Sequence, residues 1–344
     1  MVTNDTTSGE TLAFSGSGTV SSANVQNNQS ITLGSIAIAD GSGGGLASNY
    51  NLTTGTFDIS QKWVSVGGQK IYDATTTVSS SDLNVTGEVT GESISITGTG
   101  SVTDKNVGSG KTIDVSGLSL SDGSHSASNY TIGTTSFAIT PRNLSISGEK
   151  VYDGTGTVLA SHIDTVNTAG GETLTISGEG SVSLPSVGTN KSITLNTLGI
   201  SDGTSGTIGL ASNYTLDSGS FDITTKPITL SGSRQYDGTT NVASSDLTLI
   251  GQVSGESISI AGTGSVTDKN VGAGKTINTT GLSLADNTSN ASNYSLSTGT
   301  FTINNKILSI SGTRAYDGST TVSSGNISLN GLIGSETLNK SGSV

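Results

Sequence analysis

Short runs in which apolar and hydroxyl-bearing residues alternate recur along the whole chain. Serine alternates with isoleucine at residues 93–96 and again at 257–260. Such a run has one apolar and one polar face, which is typical of a strand packed on a core from one side only. Gly, Asn, Asp and Ser separate the runs about every 8–12 residues, as tight turns between short strands do. Because no stretch has the period of an amphipathic helix, the pattern predicts an all-β protein.

A unit of about 80 residues repeats along the chain. Tyr72, Tyr152, Tyr236 and Tyr316 are spaced by 80, 84 and 80 positions. The tyrosine of Ala-Ser-Asn-Tyr and a phenylalanine recur with the same spacings, so that 12 of the 14 aromatic residues occupy three positions of the unit. The repetition predicts a partial repeat at 1–60, complete repeats at 61–140, 141–224 and 225–304, and a second partial repeat at 305–344. Duplication of one module favours a structural role over a single active site, which would break the symmetry.

The number of strand candidates in one unit indicates its fold. They lie at residues 63–66, 75–78, 83–85, 93–96, 113–115, 118–120 and 137–139. So many short strands with turns between them predict an antiparallel β-sandwich of immunoglobulin-like design. A β-grasp fold and an SH3-like barrel are alternatives, because topology does not follow from spacing. A parallel β-helix is a further alternative, although its coils repeat at much shorter periods.

The connections between units contain no flexible tether. The last strand candidate of one unit passes into the first of the next through about three residues, such as Thr140-Pro141-Arg142. Gly/Ser-rich linkers, which behave as flexible coils, do not intervene at these points. We therefore predict that the tandem modules form a stiff, extended rod.

Composition and charge exclude several functional classes. The net charge of −12 disfavours a nucleic-acid-binding surface. Cysteine is absent, which excludes disulfides, thiolate metal sites and cysteine nucleophiles. The two histidines, His125 and His162, occupy different places in their units, and we expect both to be surface residues rather than part of a catalytic triad. No apolar run reaches the ~18–20 residues of a membrane span. We predict neither an enzyme nor membrane insertion.

A Tyr-Asp-Gly triplet marks the same point of several units. Its residues are Tyr72 and Asp73, then Tyr152, Asp153 and Gly154, then Tyr236, Asp237 and Gly238, and finally Tyr316, Asp317 and Gly318. Asp-Gly suits a tight turn with a positive φ angle. The first unit has Ala74 in the glycine position, so either that turn differs or the position is not left-handed. We expect a structural corner in which the tyrosine is packed and its hydroxyl is bonded to the backbone.

Two further features are candidates for ligand binding. Asp104 and Asp268 lie in Asp-Lys-Asn segments that offer hard oxygen ligands, but no Asp-x-Asp-x-Asp-Gly loop is present. We predict no metal or other cofactor, and we keep calcium at these two aspartates as the alternative. Trp63 has no counterpart in the other units. We predict that it packs at a junction between units, with stacking on a bound glycan as the alternative.

A longer set of motifs resembles a known family. In order along the unit they are Lys/Arg-x-Tyr-Asp-Gly-Thr, Gly-Glu-Ser, Val-Thr-Asp-Lys-Asn-Val-Gly, Gly-Leu-Ser-Leu and Ala-Ser-Asn-Tyr. Together they resemble the YDG repeat domain, which looks related to the MBG modules and occurs in tandem in large bacterial surface adhesins, including filamentous-haemagglutinin-like exoproteins. The resemblance covers nearly the whole chain. Ala74, Ser186 and Gln29 depart from the shared pattern.

The resemblance implies an extracellular, non-catalytic stalk, secreted or on a bacterial cell surface, that spaces a binding tip from the cell in adhesion and biofilm formation. The expected partners are the neighbouring repeats of the same chain, and host or bacterial surface glycans and proteins, with no nucleic acid. Two alternatives remain open. One is an array that binds glycans or other cell-surface ligands. The other is a filament subunit, in which the partial repeats of two copies complete each other head to tail by strand complementation.

Overall fold

The computed structural model describes residues 9–165, 167–217, 219–339 and 341. Within these residues every regular element is a β-strand or a three-residue 3-10 turn, which confirms the all-β prediction. The 3-10 turns are Ala47–Asn49, Ser80–Asp82, Ala127–Asn129, Ala160–His162, Ala169–Gly171, Ala211–Asn213, Ser244–Asp246, Ala291–Asn293 and Ser324–Asn326. In the described part of the chain, no helix has the length and apolar character needed to cross a membrane.

The chain divides into two compact units. The first holds the described residues up to Leu144 together with Asn167–Leu174 and Asp202–Thr215. The second holds the described residues of Ser145–Val166, Thr175–Ser201 and Leu216–Val344. The residues of repeat 2 (141–224) are therefore shared between the units, whereas those of repeat 1 (61–140) and repeat 3 (225–304) each lie in one unit.

The first unit begins with a leading segment of two antiparallel strand pairs. Its strands are β1 (Leu12–Ser15), β2 (Gln26–Ser30), β3 (Ala37–Asp40) and β4 (Thr56–Ile59). Strand β1 pairs with β3, and β2 pairs with β4.

Repeat 1 folds as two four-stranded sheets in the first unit. Its strands are β5 (Lys62–Ile71), β6 (Thr77–Ser79), β7 (Leu83–Thr86), β8 (Ile94–Val102), β9 (Gly108–Lys111), β10 (Ile113–Asp114), β11 (Leu118–Asp122) and β12 (Tyr130–Thr140). One sheet has the order β7-β5-β12-β9, and in the other β6, β10 and β11 all pair with β8. Val64 of β5 and Phe137 of β12 point inward and are 2% and 1% exposed. Val64 packs against Ile94 of β8, so the core lies between the two sheets.

In repeat 2 one six-stranded sheet contains strands that correspond to both sheets of repeat 1. Its strands are β13 (Arg142–Leu144), β14 (Ile146–Val151), β15 (Thr157–Leu159), β16 (Ile163–Thr165), β17 (Leu174–Ser177), β18 (Glu179–Val182), β19 (Gly188–Thr194), β20 (Gly199–Asp202), β21 (Tyr214–Leu216) and β22 (Ser220–Thr224). Six of them, all in the second unit, form a sheet with the order β15-β18-β19-β22-β14-β16. Strand β19 corresponds to β9 and β10 of repeat 1 joined into one strand. Because β9 and β10 lie in different sheets of repeat 1, β19 links the two corresponding layers in repeat 2.

Repeat 3 has the same plan in the second unit. Its strands are β23 (Lys226–Gln235), β24 (Asn241–Ala243), β25 (Leu247–Ile250), β26 (Ile258–Val266), β27 (Gly272–Asn278), β28 (Leu282–Asp286), β29 (Tyr294–Leu296) and β30 (Thr300–Asn304). The order is β24-β26-β27-β30-β23-β25, with β28 beside β26 and β29 beside β23. A trailing segment follows with β31 (Ser309–Gly312) and β32 (Ile327–Asn330), which pair in antiparallel.

Each complete repeat contains a parallel ladder between an early and a late part of its chain. Strand β5 lies beside β12, β14 beside β22, and β23 beside both β29 and β30. The prediction of a wholly antiparallel module is wrong at this ladder. The physical reason is the path of the chain. It enters the repeat at one end and leaves at the other, so the two paired strands run in the same direction.

The apolar core continues from repeat 2 into repeat 3 within the second unit. One cluster of buried side chains includes Phe221 of repeat 2 together with Ile228, Ile258 and Tyr294 of repeat 3. Burial of apolar surface contributes roughly 25 cal/mol per Å². A shared cluster therefore stabilises both repeats at once, as in one-dimensional repeat arrays.

The leading and trailing segments expose positions that complete repeats bury. Ile310 is 64% exposed, whereas the equivalent Leu230 is 2% exposed. Phe57 is 53% exposed, whereas the equivalent Phe221 is fully buried. In complete repeats these positions lie on the two strands of the parallel pair, so each strand of that pair depends on the other for its burial.

Candidate functional site: tyrosine and glutamate junctions between repeats

The Tyr-Asp-Gly corner of repeat 1 follows β5 and is held together by a buried ammonium group. Lys70 Nζ donates to Asp73 Oδ1 at 2.8 Å, to Thr75 O at 3.0 Å and to Thr77 O at 2.6 Å. The Thr75 backbone N–H also donates to Asp73 Oδ1, at 2.9 Å, which closes the turn. Burial acts to raise the pKa of Asp73, but the hydrogen bonds from Lys70 and Thr75 outweigh it and lower the pKa below its ordinary value. Equivalent contacts recur at Lys150 with Asp153, Thr155 and Thr157, and at Arg234 with Asp237, Thr239 and Asn241.

The residue after the motif aspartate has a positive φ angle in every copy. Gly154, Gly238 and Gly318 have φ angles of 82°, 77° and 75°, and Ala74 has 66°. The first corner therefore has the same conformation as the others. A left-handed conformation costs an L-residue roughly 1–2 kcal/mol, so Ala74 carries strain that the three glycines do not.

In each complete repeat, the backbone of the motif tyrosine ends the parallel ladder. The Tyr72 N–H donates to Thr140 O, the last residue of β12, at 2.9 Å. The same bond joins Tyr152 to Thr224 at 2.9 Å and Tyr236 to Asn304 at 2.9 Å. The motif tyrosine therefore lies where the last strand leaves the repeat.

The side chain of Tyr72 enters a cluster formed by the next repeat, and all of the residues involved lie in the first unit. Its hydroxyl donates to Glu172 Oε1 at 2.8 Å, and the Tyr214 hydroxyl donates to Glu172 Oε2 at 2.7 Å. Lys105 Nζ lies 2.6 Å from Glu172 Oε1. Tyr72 is fully buried, and Glu172 is 3% exposed. A buried carboxylate of repeat 2 is thus shared with two side chains of repeat 1.

This geometry corrects one expectation for the motif tyrosine. The ring is packed as predicted, but its hydroxyl bonds to a glutamate of the next repeat and not to the backbone. A charged acceptor makes a stronger hydrogen bond than a neutral one, and the Glu172 carboxylate is such an acceptor.

The electrostatics of the cluster favour an ionised glutamate between protonated phenols. Burial acts to raise the pKa of Glu172, but hydrogen bonds from Lys105, Tyr214 and Tyr72 outweigh it and lower the pKa. Burial and the hydrogen bond to Glu172 raise the pKa of Tyr72, and they raise the pKa of Tyr214 to about 12. Hydrogen bonds to a charged acceptor are about twice as strong as neutral ones. The rings of Tyr72 and Tyr214 also meet edge to face, with centroids 5.3 Å apart and an interplanar angle of 78°.

The junction between repeats 2 and 3 has the same cluster without the lysine. Tyr152 and Tyr294 donate to the two carboxylate oxygens of Glu256, each at 2.5 Å. Their ring centroids are 5.5 Å apart, with an interplanar angle of 80°. Pro185 stands in the position of Lys105, so the ammonium group is a variable part of the junction and the two tyrosines are its constant part.

The junction after repeat 3 contains the first half of the cluster. Tyr236 donates to Glu336, and Lys269 Nζ lies 3.9 Å from Glu336 Oε1. Tyr316, the motif tyrosine of the trailing segment, is 98% exposed. In the leading segment, Tyr50 donates to Glu10 Oε2 at 2.9 Å, which is the second half of the same cluster.

The asparagine of Ala-Ser-Asn-Tyr accepts a backbone hydrogen bond at both junctions between complete repeats. Asn213 Oδ1 accepts from the Val107 N–H at 2.8 Å, and Asn293 Oδ1 accepts from the Val187 N–H at 3.0 Å. Asn213 is 1% exposed. Sequence reasoning used this asparagine and the recurring glutamate only as markers of the repeat and missed their roles. Their recurrence at fixed places in otherwise polar segments was the signal that could have identified them.

The two candidate calcium aspartates are engaged by lysines. Lys111 Nζ lies 2.8 Å from Asp104 Oδ2, and Lys275 Nζ lies 2.9 Å from Asp268 Oδ1. Hydrogen bonds from these lysines lower the pKa of both aspartates. Among the residues that the structure describes, no group of three or more His, Asp or Glu side chains is placed to hold a metal ion. The ammonium groups thus bind the oxygens that the calcium alternative requires.

Trp63 and the histidines lie apart from the tyrosine clusters. Trp63 is 75% exposed and lies over Gly133 of its own repeat, where an added Cβ would come within 3.2 Å of the Trp63 Cβ. His125 Nε2 lies 3.9 Å from Glu92 Oε1 in an exposed loop. His162 is half-buried, with its ring centroid 6.4 Å from that of Phe221 and its Nδ1 buried.

Comparison with known families agrees with the repeat geometry. The chain matches the YDG domain three times, at residues 61–137, 140–221 and 223–301. These matches cover more than half of the chain, which therefore belongs to the YDG domain family. No curated protein matches the chain.

Proposed function

We propose that this chain is a non-catalytic stalk segment of an extracellular bacterial adhesin, in which tandem YDG repeats space a binding tip from the cell surface in adhesion and biofilm formation. The observation that carries the proposal is one contact made three times. Tyr72 meets Glu172, Tyr152 meets Glu256, and Tyr236 meets Glu336, each pair joining a repeat to the next. An array of like units joined by like contacts provides length.

The state of the polar groups in the junctions supports a structural role. Glu172 is 3% exposed, and its oxygens accept hydrogen bonds from Tyr72, Tyr214 and Lys105. A catalytic acid or base must come within hydrogen-bond reach of a substrate. A carboxylate whose hydrogen-bond partners are all side chains of the protein instead holds neighbouring repeats together.

The immunoglobulin-like sandwich and the extended rod predicted from the sequence are part of the proposal. The two sheets of repeat 1, with Val64 of one packed on Ile94 of the other, support the sandwich. Small-angle scattering from the full chain tests the rod. A distance distribution with a long tail is expected, and one typical of a sphere would contradict it.

Surface labelling of the bacterium that produces the chain tests the stalk function. Antibodies against residues 61–304 are expected to label intact cells, and external protease is expected to remove the label. An antibody against a cytoplasmic protein, which labels only permeabilised cells, is the control. Labelling by the repeat antibodies only after permeabilisation would overturn the proposal.

The exposure of Trp63 favours one second candidate, an array that binds glycans. A tryptophan that is 75% exposed on a polar surface offers a stacking face to a sugar ring. Binding of the full chain to a glycan array, lost in Trp63→Ala and retained in Tyr316→Phe, would support this candidate. Equal signals from Trp63→Ala and the unaltered chain would contradict it.

A further inference from the structure

The parallel strand pair is the feature that connects the two ends of each complete repeat. In repeat 1 it runs from Lys62 opposite Tyr130 to Ile71 opposite Thr140, with one irregularity at Gly133. In repeat 3 it runs from Lys226 opposite Tyr294 to Gln235 opposite Asn304, in two stretches. The chain enters each repeat at the start of the first strand of the pair and leaves at the end of the second.

This arrangement determines how the pair responds to tension along the chain. Tension pulls β5 backwards from Lys62 and pulls β12 forwards from Thr140, in opposite directions along two neighbouring strands. The ladder between them is therefore sheared, and its hydrogen bonds carry the force together. In an antiparallel pair joined by a turn and pulled at its open end, by contrast, the bonds open one after another.

The Tyr-Asp-Gly corner closes the ladder at the end where the chain leaves. The Tyr72 N–H donates to Thr140 O at 2.9 Å, and Thr140 Oγ1 donates back to Lys70 O at 3.2 Å. In repeat 2 the same two bonds join Tyr152 and Lys150 to Thr224, at 2.9 and 3.2 Å. The buried ammonium of the corner lysine holds this end of the strand in place.

We propose that the parallel pair and its Tyr-Asp-Gly corner form a mechanical clamp, which gives each complete repeat resistance to tension applied between its ends. The clamp rests on the proposed stalk function for its biological use, since a stalk under flow transmits force from tip to cell. The resistance itself is a property of the repeat. It is measured without any adhesion partner, so a failed clamp and a failed stalk assignment are distinguishable.

Single-molecule force spectroscopy on the full chain tests the clamp. Because the sequence contains no cysteine, thiol handles attach only where cysteines are introduced. Gln61→Cys with Pro141→Cys applies tension along the clamp of repeat 1. Gln61→Cys with Ser128→Cys applies it across the adjacent starts of the same two strands and peels them apart. Unfolding along the first pair releases about 260–290 Å of extended chain, which identifies the event.

We expect a higher unfolding force for the first handle pair than for the second at the same loading rate. Repeat 3 provides an independent matched comparison, with Thr225→Cys and Asn305→Cys against Thr225→Cys and Ser292→Cys. Thermal unfolding of each double variant without handles checks that the introduced cysteines leave the fold intact. Equal forces in the two pulling directions, or a lower force along the clamp, would overturn the proposal.

Discussion

Tyr72 donates a hydrogen bond of 2.8 Å to Glu172, a residue 100 positions later in the chain and in the following repeat. The tyrosine of the Tyr-Asp-Gly motif is thus a residue of the junction as well as of the corner. Its backbone ends the ladder of one repeat, and its side chain binds the buried carboxylate of the next. The motif therefore couples the end of one fold to the interior of its neighbour.

Removing the hydroxyl of Tyr72 is expected to destabilise the chain. A hydrogen bond to a charged group contributes about 1.5–3 kcal/mol, and Tyr72→Phe should lower the free energy of unfolding by that amount. Urea unfolding of the full chain, followed by circular dichroism, measures the change. Tyr316→Phe is the matched control, because Tyr316 is the same motif residue but 98% exposed.

A double-mutant cycle separates the pair from other effects of the substitutions. Tyr72→Phe together with Glu172→Gln should cost less than the sum of the two single changes, by about 0.5–3 kcal/mol. Strict additivity would show that the contact contributes nothing to stability.

The first junction is expected to weaken in acid. Because the folded-state pKa of Glu172 is lowered, its ionised form stabilises the fold above the ordinary value of 4.5, and this contribution is lost as the pH falls through the lowered pKa. The stability difference between the unaltered chain and Glu172→Gln should therefore shrink between neutral pH and pH values below 4.5. Denaturant unfolding at a series of pH values measures it. A difference that stays constant over this range would contradict the assignment.

Relief of the strain at Ala74 is expected to stabilise repeat 1. Ala74 has a φ angle of 66° in a position that is glycine in the other three corners. Ala74→Gly should raise the free energy of unfolding by about 0.5–1 kcal/mol. The reverse change, Gly154→Ala, should lower it by more, because the new Cβ would lie 2.9 Å from Val253 Cγ1. Differential scanning calorimetry of the two variants measures both changes. A lower melting temperature for Ala74→Gly would contradict the claim that Ala74 is strained.

Loss of the buried ammonium at the corner is expected to be severe. Lys70→Met leaves the carbonyl oxygens of Thr75 and Thr77 without their donor and removes the cation beside Asp73, whose side chain is 45% exposed. Leaving a buried polar group without its partner costs about 1–3 kcal/mol. Lys70→Arg should be tolerated, because Arg234 binds the equivalent oxygens of repeat 3. Thermal unfolding of the two variants measures the contrast. Similar losses from both would show that the corner depends on the shape of the lysine and not on its charge.

The alternation of apolar and polar residues predicted many of the strands. It failed where hydrogen bonding between distant strands determines the structure. Residues 93–96 were recognised because β8 buries every second side chain at its start. The strand β9 was missed because Gly108–Lys111 is an edge strand of small and polar residues, two of them glycine, with no apolar alternation. The parallel pair was missed because its strands are more than 60 residues apart in sequence. No local pattern records the relative direction of such strands.

The corner was predicted from sequence, and the junction was not. Asp-Gly specifies a turn through local backbone chemistry, which can be recognised from a few consecutive residues. Glu172 lies in a Gly-Gly-Glu segment that is typical of a solvated loop. Tyr72 and Lys105 of repeat 1 and Tyr214 from later in its own repeat all bind its carboxylate. A buried charge formed by distant segments leaves no local signature.

The most direct test of the account is hydrogen exchange, measured by mass spectrometry, in the full chain carrying Tyr72→Phe. If the tyrosine couples neighbouring repeats, exchange should accelerate in repeat 1 and equally in the peptides of repeat 2 that contain Glu172 and Tyr214. Tyr316→Phe should leave both regions unchanged. Acceleration confined to repeat 1, with the peptides around Glu172 unaffected, would contradict the central claim that the motif tyrosine joins one repeat to the next.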